Sequence, residues 1–302
     1  RPRARAAAEG LLAAALPPLL GRRVRQDTLV LAYHNVVPRG EAPSGERSLH
    51  LPRAAFAAQL DALARTHDVV PLAEVLAPAS PGARRPRAAI TFDDAYRGAV
   101  TAGLEELAAR GLPATFFVVA GRVGGGPFWW DALADGAGAL PPAFRARALD
   151  EARGEEGAVL ALARELGLAD GDVPAHALPA GEAELRAAAS VPGISFGAHG
   201  WSHASLARLE GEGLERELAA PLAWLRARFP FATVPWLSYP YGLSSPEAAR
   251  AAAAAGYQGA VRVDGGWVRG GEIDRYAVPR LNVPAGLSRA GFRLRAAGVL
   301  GR

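Results

Sequence analysis

Residues 88 to 94 read Ala-Ala-Ile-Thr-Phe-Asp-Asp (AAITFDD), a short apolar run that ends in two adjacent carboxylates. A continuous apolar run of this length is typical of a parallel strand that is covered on both faces. Other runs of this kind alternate with amphipathic or alanine-rich stretches and lie at 28–33, 114–119, 194–198, 236–239, 259–263 and 277–282. Alternation of strands with helices predicts an α/β fold with parallel strands, in a single barrel-like domain.

Two of the intervening helices have clear local signals. Phe56, Leu60 and Leu63 share one face of a helix predicted over 52–66. A second helix is predicted over 246–255, because a serine, a proline and a glycine stand at its N-cap, first turn and end. The sequence therefore places helices where crossover connections between parallel strands require them.

Two segments depart from this alternation of strands and helices. Residues 124–190 begin GGGPFWWD and continue through acidic and alanine-rich helical stretches, which predicts a helical insertion in a domain that spans 28–302. Its glycine run lacks the lysine of a phosphate-binding loop, so a nucleotide site is not expected. Residues 1–27 are interpreted as an N-terminal extension, whose apolar part, 11–20, is too short to cross a bilayer. No transmembrane segment is predicted.

The composition limits the kinds of partner and metal site. The 302 residues are 50% hydrophobic, and 34 basic residues, all arginine, oppose 30 acidic ones for a net charge of +4. No basic run is interleaved with aromatic residues, so a nucleic-acid partner is not expected. Because cysteine is absent, any metal ligands must be nitrogen or oxygen atoms, and the cellular compartment stays open.

The two carboxylates of Asp93 and Asp94 follow their strand directly. Adjacent carboxylates repel one another unless a cation or a shared proton offsets the repulsion. A metal ion would do so, and one carboxylate could bind it while the other acts as general base. Alternatively, one of them caps the helix predicted near 97–110.

His199 and His203 form a second pair after another strand, in the sequence HGWSH. Imidazoles four residues apart lie on one face if the segment is helical, and both can then reach one ion. The zinc-protease helix has glutamate after its first histidine, whereas Gly200 stands here. Two surface histidines in a loop are the alternative, but Asp94 as a third ligand favours the metal.

The order of these motifs resembles the polysaccharide deacetylase family of the NodB homology type. TFDD after a strand, a His-x-x-x-His loop and a Pro-Tyr-Gly strand end follow one another along the chain. The resemblance implies a distorted (β/α) barrel of about seven strands, and a hydrolase that removes N-acetyl or O-acetyl groups from a polysaccharide. It also implies that Asp93 is the base, that Asp94, His199 and His203 bind a divalent ion, usually zinc, and that the Tyr241 N–H stabilises the oxyanion.

Two departures from the family pattern bear on the mechanism. Ser238 stands where an arginine usually steadies the base, and Arg280, in VPRLNV, is the predicted substitute. The general acid of the family is usually a histidine near the C-terminus, yet no histidine follows His203. A rearranged subgroup, the poly-N-acetylglucosamine deacetylases, has it in an N-terminal Tyr-His strand end, which LAYHNV matches. His34 is therefore the predicted acid, although a lone histidine at a strand end is also compatible with packing alone.

Substrate contacts are predicted for Tyr239, Tyr241, Trp201 and Trp130. The aromatic run 128–130 is equally compatible with anchoring the insertion to the barrel. Two other functions stay open: a catalytically silent carbohydrate-binding relative, and a metal amidohydrolase of a small amide. The sequence does not specify which polysaccharide is bound.

Overall fold

The computed structural model describes residues 27–78, 83–268 and 273–299. Almost all of the predicted N-terminal extension, residues 1–27, therefore lies outside the described residues. In the part of the chain that is described, no helix is both long enough and apolar enough to cross a membrane.

Eleven strands are found in the described residues. In chain order, β1 to β11 are Thr28–Tyr33, Asn35–Val37, His50–Pro52, Asp68–Val69, Arg87–Phe92, Ala114–Val118, Ile194–Ala198, Thr233–Ser238, Gly259–Val261, Trp267–Val268 and Leu281–Asn282. The main sheet has the order β10-β1-β5-β6-β7-β8-β9, and β4 and β11 join it at β5 and β1. β2 and β3 form a separate pair.

The sheet curls until its last strand returns to its first. An isolated parallel bridge joins Val261 to Val278, and β11 then pairs in parallel with Leu31 and Ala32 of β1. The strand predicted over 277–282 is shorter than expected and includes only Leu281 and Asn282. Pro279 has no N–H to donate to a neighbouring strand. The predicted α/β barrel of about seven strands is confirmed.

Nine α-helices lie in the described residues. In chain order, α1 to α9 are Arg53–Thr66, Leu104–Ala108, Trp129–Ala132, Pro142–Asp150, Glu156–Glu165, Glu182–Ala189, Gly211–Arg228, Pro246–Ala254 and Arg289–Ala296. α1 and α8 correspond to the two predicted helices, and the Ser245 hydroxyl caps α8 by accepting from the Ala248 N–H at 3.0 Å. A π-helical turn, Ala99–Gly103, precedes α2.

The helices α3 to α6 lie between β6 and β7, within the segment predicted as an insertion. They are not a separate layer, since Trp129, Phe144 and Val159 are buried in the same apolar cluster as the barrel strands. The insertion consequently contributes side chains to the main core and is positioned rigidly against the strand ends.

Candidate metal centre and active-site cleft

The polar residues predicted from the sequence meet at one end of the barrel. β1, β5 and β7 end immediately before His34, Asp93 and His199, and β8 ends three residues before Tyr241. The carboxyl ends of parallel strands lie on one rim, where active sites of α/β barrels assemble. A cleft of about 160 Å³ opens there, and the predicted residues that line it are His34, Asp93, Asp94, Trp130, His199, His203 and Tyr241.

Asp94, His199 and His203 form a compact set of ligand atoms. Asp94 Oδ1 lies 3.2 Å from His203 Nε2 and 3.5 Å from His199 Nε2, and the two Nε2 atoms are 3.2 Å apart. All three side chains are buried, and Asp94 Oδ1 has no hydrogen-bond donor. A buried carboxylate oxygen without a donor is costly, so this arrangement suits a bound cation.

The tautomer of His199 also suits a metal site. Its Nδ1–H donates to the Ser238 carbonyl oxygen at 2.7 Å, so that the Nε2 lone pair faces Asp94. A second hydrogen bond of this kind orients a metal-binding imidazole and makes it more basic.

The two histidines come together without the helical turn that their spacing would allow. The segment from His199 to His203 is an irregular loop, in which Gly200 and His203 have φ of 75° and 69°. The tight turn brings the imidazoles together with ring centroids 4.7 Å apart. The convergence therefore depends on a left-handed backbone at two positions, which spacing alone does not reveal.

Backbone strain is concentrated at this rim. Among the described residues, five non-glycine residues have a positive φ, and they are Asp94, Ala95, Arg153, His203 and Tyr241. Three of them line the cleft. Left-handed conformations cost energy for such residues and persist only where the surroundings enforce them, which is common at functional sites.

Asp93 is held by Arg280 in a buried, two-pronged ion pair. Nη1 donates to Asp93 Oδ1 and Nη2 donates to Oδ2, both at 2.7 Å. Nη1 also donates to Thr91 Oγ1 at 2.9 Å and Nη2 to Ser238 Oγ at 2.8 Å, and the whole residue is 0% exposed. Because Thr91 and Ser238 lie on strands separated by two others in the sheet, Arg280 spans the barrel interior.

The two neighbouring carboxyl groups differ in their acidity. Burial acts to raise the pKa of Asp93, but the attraction of Arg280 and of His199 outweighs it, and the net pKa falls well below the usual range. Burial raises the pKa of Asp94 to about 6, against the opposing attraction of His199 and His34. Asp93 is therefore ionised at neutral pH, whereas Asp94 is the more readily protonated of the two carboxylates.

The structure places His34 in the cleft. Burial lowers the pKa of the His34 imidazole, and Asp94 and Asp93 act in the opposite direction.

Neither Asp93 nor Asp94 caps a helix. Asp93 is engaged by Arg280, and Asp94 faces the two histidines. The alternative in which a carboxylate caps the helix after residue 97 is therefore wrong for the part of the chain that the structure describes.

The predicted substrate contacts have different environments. Trp130 lines the cleft, where its ring stacks on Phe128 with centroids 4.6 Å apart and lies 4.7 Å from the His203 ring. Tyr241 lines it too, and its hydroxyl donates to the Gly154 carbonyl at 3.3 Å. Trp130 is 7% exposed, so it packs and borders the cleft at the same time.

Tyr239 and Trp201 lie outside the cleft, contrary to expectation. Tyr239 is buried, and its hydroxyl donates to the Tyr276 carbonyl at 3.0 Å. Successive side chains of a strand alternate, so with Ser238 directed into the barrel towards Arg280, Tyr239 points out of it. Trp201 is 36% exposed on the rim, and its carbonyl accepts from the Gly121 N–H at 2.8 Å.

A buried polar network supports the aromatic side of the cleft. Asp131 Oδ1 accepts from the Glu46 N–H and from His50 Nε2, each at 2.9 Å, and Oδ2 accepts from the Tyr96 hydroxyl at 2.6 Å. The Tyr96 hydroxyl in turn accepts from Trp130 Nε1 at 2.7 Å. The network ties the start of the insertion to the loop between β2 and β3.

Several residues of the cleft were not predicted from the sequence. They are Glu46, Ser48, Leu49, Arg145, Gly242, Val263 and Asn282. Asn282 and Val263 follow or end strands, which is a signal that was available in the sequence. Glu46 and Arg145 come from a loop and from α4, and no local pattern marks them.

Comparison with known proteins identifies a matching family. The sequence model of the family described as polysaccharide deacetylase matches residues 81–260. None of the curated proteins matches the sequence.

Three solved structures share the fold at low identity. The deacetylase PplD of Streptococcus pyogenes is 16% identical with a TM-score of 0.60, over 88% of this chain and 96% of that one. IcaB from Ammonifex degensii is 19% identical with a TM-score of 0.59, over 90% and 97%. The BpsB deacetylase domain from Bordetella bronchiseptica is 14% identical with a TM-score of 0.57, over 87% and 98%.

Proposed function

The chain belongs to the polysaccharide deacetylase family, and we propose that it is a metal-dependent hydrolase that removes N-acetyl groups from a polysaccharide. One observation carries the proposal: a set of nitrogen and oxygen ligands, an ionised carboxylate and a histidine border a single cleft. Together these groups can activate water, accept its proton and protonate a leaving group, and none of them alone is specific to acyl transfer.

Asp94, His199 and His203 would hold the metal ion, and Zn²⁺ suits a site of two imidazoles and one carboxylate. The donor-free Asp94 Oδ1 supports this assignment. A bound ion supplies Lewis-acid chemistry, which polarises the acetyl carbonyl and lowers the pKa of water.

The protein's own residues would then divide the proton transfers between them. Asp93, kept ionised by Arg280, takes the proton of the attacking water. The Tyr241 N–H donates to the oxyanion that forms on the acetyl carbon. His34 protonates the sugar nitrogen as its bond to the acetyl carbon breaks, and the products are acetate and an amine.

His34 supports N-acetyl rather than O-acetyl substrates. An amide nitrogen is a poor leaving group unless it is protonated, so a general acid in the cleft is more valuable for amides than for esters. Acetate release from N-acetylglucosamine oligomers and from O-acetylated xylan, with Zn²⁺ present, would measure this preference directly. Release from the xylan alone would contradict it.

The roles of Asp93 and His34 are tested by substitution. We expect Asp93→Asn and His34→Ala each to lower kcat by about 10²-fold or more while Zn²⁺ binding is retained. Asp68→Asn, on an exposed residue at the opposite end of the barrel, is the matched control and should leave kcat unchanged. Unchanged acetate release in Asp93→Asn would disprove its role as the base.

The two alternative functions give different results in the same assays. A silent carbohydrate-binding relative would bind acetylated glycans without releasing acetate. A small-amide hydrolase would turn over a panel of simple amides faster than any oligosaccharide. The buried Asp93–Arg280 pair beside the ligand set favours turnover over binding alone, because a binding site has no need of a base.

A further inference from the structure

The loop that carries both histidines is hydrogen-bonded to a single buried carboxylate on α7, the next α-helix along the chain. Glu217 Oε2 accepts from the Trp201 N–H at 2.8 Å and from the Ser202 N–H at 3.0 Å, and Glu217 Oε1 accepts from Ser202 Oγ at 2.7 Å. These are all the hydrogen bonds to this carboxylate among the described residues. Glu217 is 7% exposed, so its charge depends on the three donors of the loop for stabilisation.

The helix that carries Glu217 is firmly packed. Leu214, Leu218, Leu222 and Leu225 of α7 are all at most 2% exposed. The Leu218 carbonyl also accepts from the Tyr257 hydroxyl at 2.8 Å. Glu217 therefore connects an irregular loop to an element that cannot easily move.

Gly200 is shaped for this connection. Its φ of 75° favours glycine, and a Cβ at this position would lie 3.1 Å from Glu217 Oε2. The loop thus approaches the carboxylate closely, between the two metal-ligand positions.

Without a cation, the ligand atoms resist being brought together. The lone pair of His199 Nε2 faces Asp94 Oδ1 at 3.5 Å. His203 Nε2 lies 3.2 Å from each of these two atoms. The three charge-assisted hydrogen bonds to Glu217 oppose the opening of the loop that would relieve this repulsion. A preformed ligand set binds a metal more tightly, because less ordering is needed on binding.

We propose that Glu217 is a positioning residue that holds the 199–203 loop in its metal-binding conformation and thereby sets the affinity for Zn²⁺. The inference rests on the proposed function only for the ligand set Asp94, His199 and His203. Glu217 is not one of the proposed ligands and does not line the cleft, so it acts through the two histidines.

Four variants separate position from charge. We expect Glu217→Ala to weaken Zn²⁺ binding by about 10- to 100-fold in a chelator-competition titration, the usual effect of losing a residue that orients the ligands. Glu217→Asp keeps the charge but is one methylene too short, so it should also bind Zn²⁺ about tenfold more weakly. Glu217→Gln keeps an oxygen for the two N–H donors and should recover most of the affinity. Glu215→Ala, on an exposed residue of the same helix, should match the wild type.

Amide hydrogen exchange in the metal-free protein gives an independent measurement. The Trp201 and Ser202 amides should exchange faster in Glu217→Ala and Glu217→Asp, and at the wild-type rate in Glu215→Ala. If the wild type bound no Zn²⁺, the proposed function would fail, and this exchange comparison would still test whether Glu217 holds the 199–203 loop in place.

Three results would overturn the inference. The first is wild-type Zn²⁺ affinity in a folded Glu217→Ala protein, or, if that variant does not fold, in Glu217→Asp. The second is unchanged exchange of both amides. The third is a loss in Glu217→Gln as large as that in Glu217→Ala, which would mean that charge rather than hydrogen-bond geometry controls the site.

Discussion

Arg280→Met removes the buried partner of Asp93 and is expected to destabilise the protein strongly. Arg280 is 0% exposed and makes two hydrogen bonds of 2.7 Å to a carboxylate that is itself 3% exposed. Removing one partner of a buried pair leaves an uncompensated charge and typically costs about 3–5 kcal/mol. Thr91 and Ser238 each also lose a donor, so we expect a value near the upper end of that range.

The free energy of unfolding would be measured in urea by tryptophan fluorescence at pH 7, with EDTA present so that metal binding makes no contribution. Arg147→Met is the control, because its ion pair with Glu151 is exposed, and exposed pairs contribute little to stability.

A double-mutant cycle isolates the interaction itself. Asp93→Asn also leaves an unpaired charge, that of Arg280, so each single change should be costly. The double variant should lose at least about 2 kcal/mol less than the sum of the two, because both charges are then gone. Additivity within about 0.5 kcal/mol would refute the conclusion that the pair is energetically coupled.

Three further predictions concern the network, a buried histidine and the metal. Asp131→Asn turns one acceptor oxygen into a donor beside Tyr96 and should lower the free energy of unfolding by about 1–3 kcal/mol in urea. Burial lowers the pKa of His67 to about 4. Between the folded-state pKa and the ordinary pKa of histidine, the unfolded chain binds more protons than the folded one, so the free energy of unfolding rises with pH. His67 should account for about 2 kcal/mol of stability lost from pH 7 to pH 5, and His67→Phe should remove that loss. Zn²⁺ at 100 times its Kd should stabilise the protein by about 2.7 kcal/mol, and Asp94→Asn should abolish the corresponding rise in Tm.

Each of these has a clear contrary outcome. Asp131→Asn with wild-type stability would show that the network is dispensable. A His67→Phe protein with the same dependence of stability on pH would assign that dependence to other groups. A Tm that rises equally with Zn²⁺ in wild type and Asp94→Asn would place the ion elsewhere.

The fold and the candidate metal-ligand set could be predicted from the sequence because both follow from local sequence patterns. Apolar runs predict the strands, and the residue after a strand lies on the same rim as its counterparts whatever the details of packing. Asp94, His199 and His203 could therefore be grouped, and the structure brings their ligand atoms together. The family resemblance predicted from the same motifs is confirmed.

Other features depend on relations that no local pattern encodes. The distance from Arg280 to Asp93 is set by how the barrel closes, since Thr91 and Ser238 must face the same interior point. Tyr239 directly follows a strand, yet its side chain points out of the barrel, because it is one residue from Ser238, which faces Arg280, and successive side chains face opposite sides. The two histidines converge through an irregular loop with positive φ at Gly200 and His203, and that loop is hydrogen-bonded to Glu217, 14 residues after His203, which no local pattern indicates.

The sequence by itself thus determined which chemical groups end the strands, because strand ends follow from hydrophobic pattern. The tertiary structure alone decided which of those groups face the cleft, and which buried charges hold them there. The reason is physical: hydrophobic pattern is a property of neighbouring residues, whereas orientation and charge pairing depend on the curvature and closure of the whole sheet.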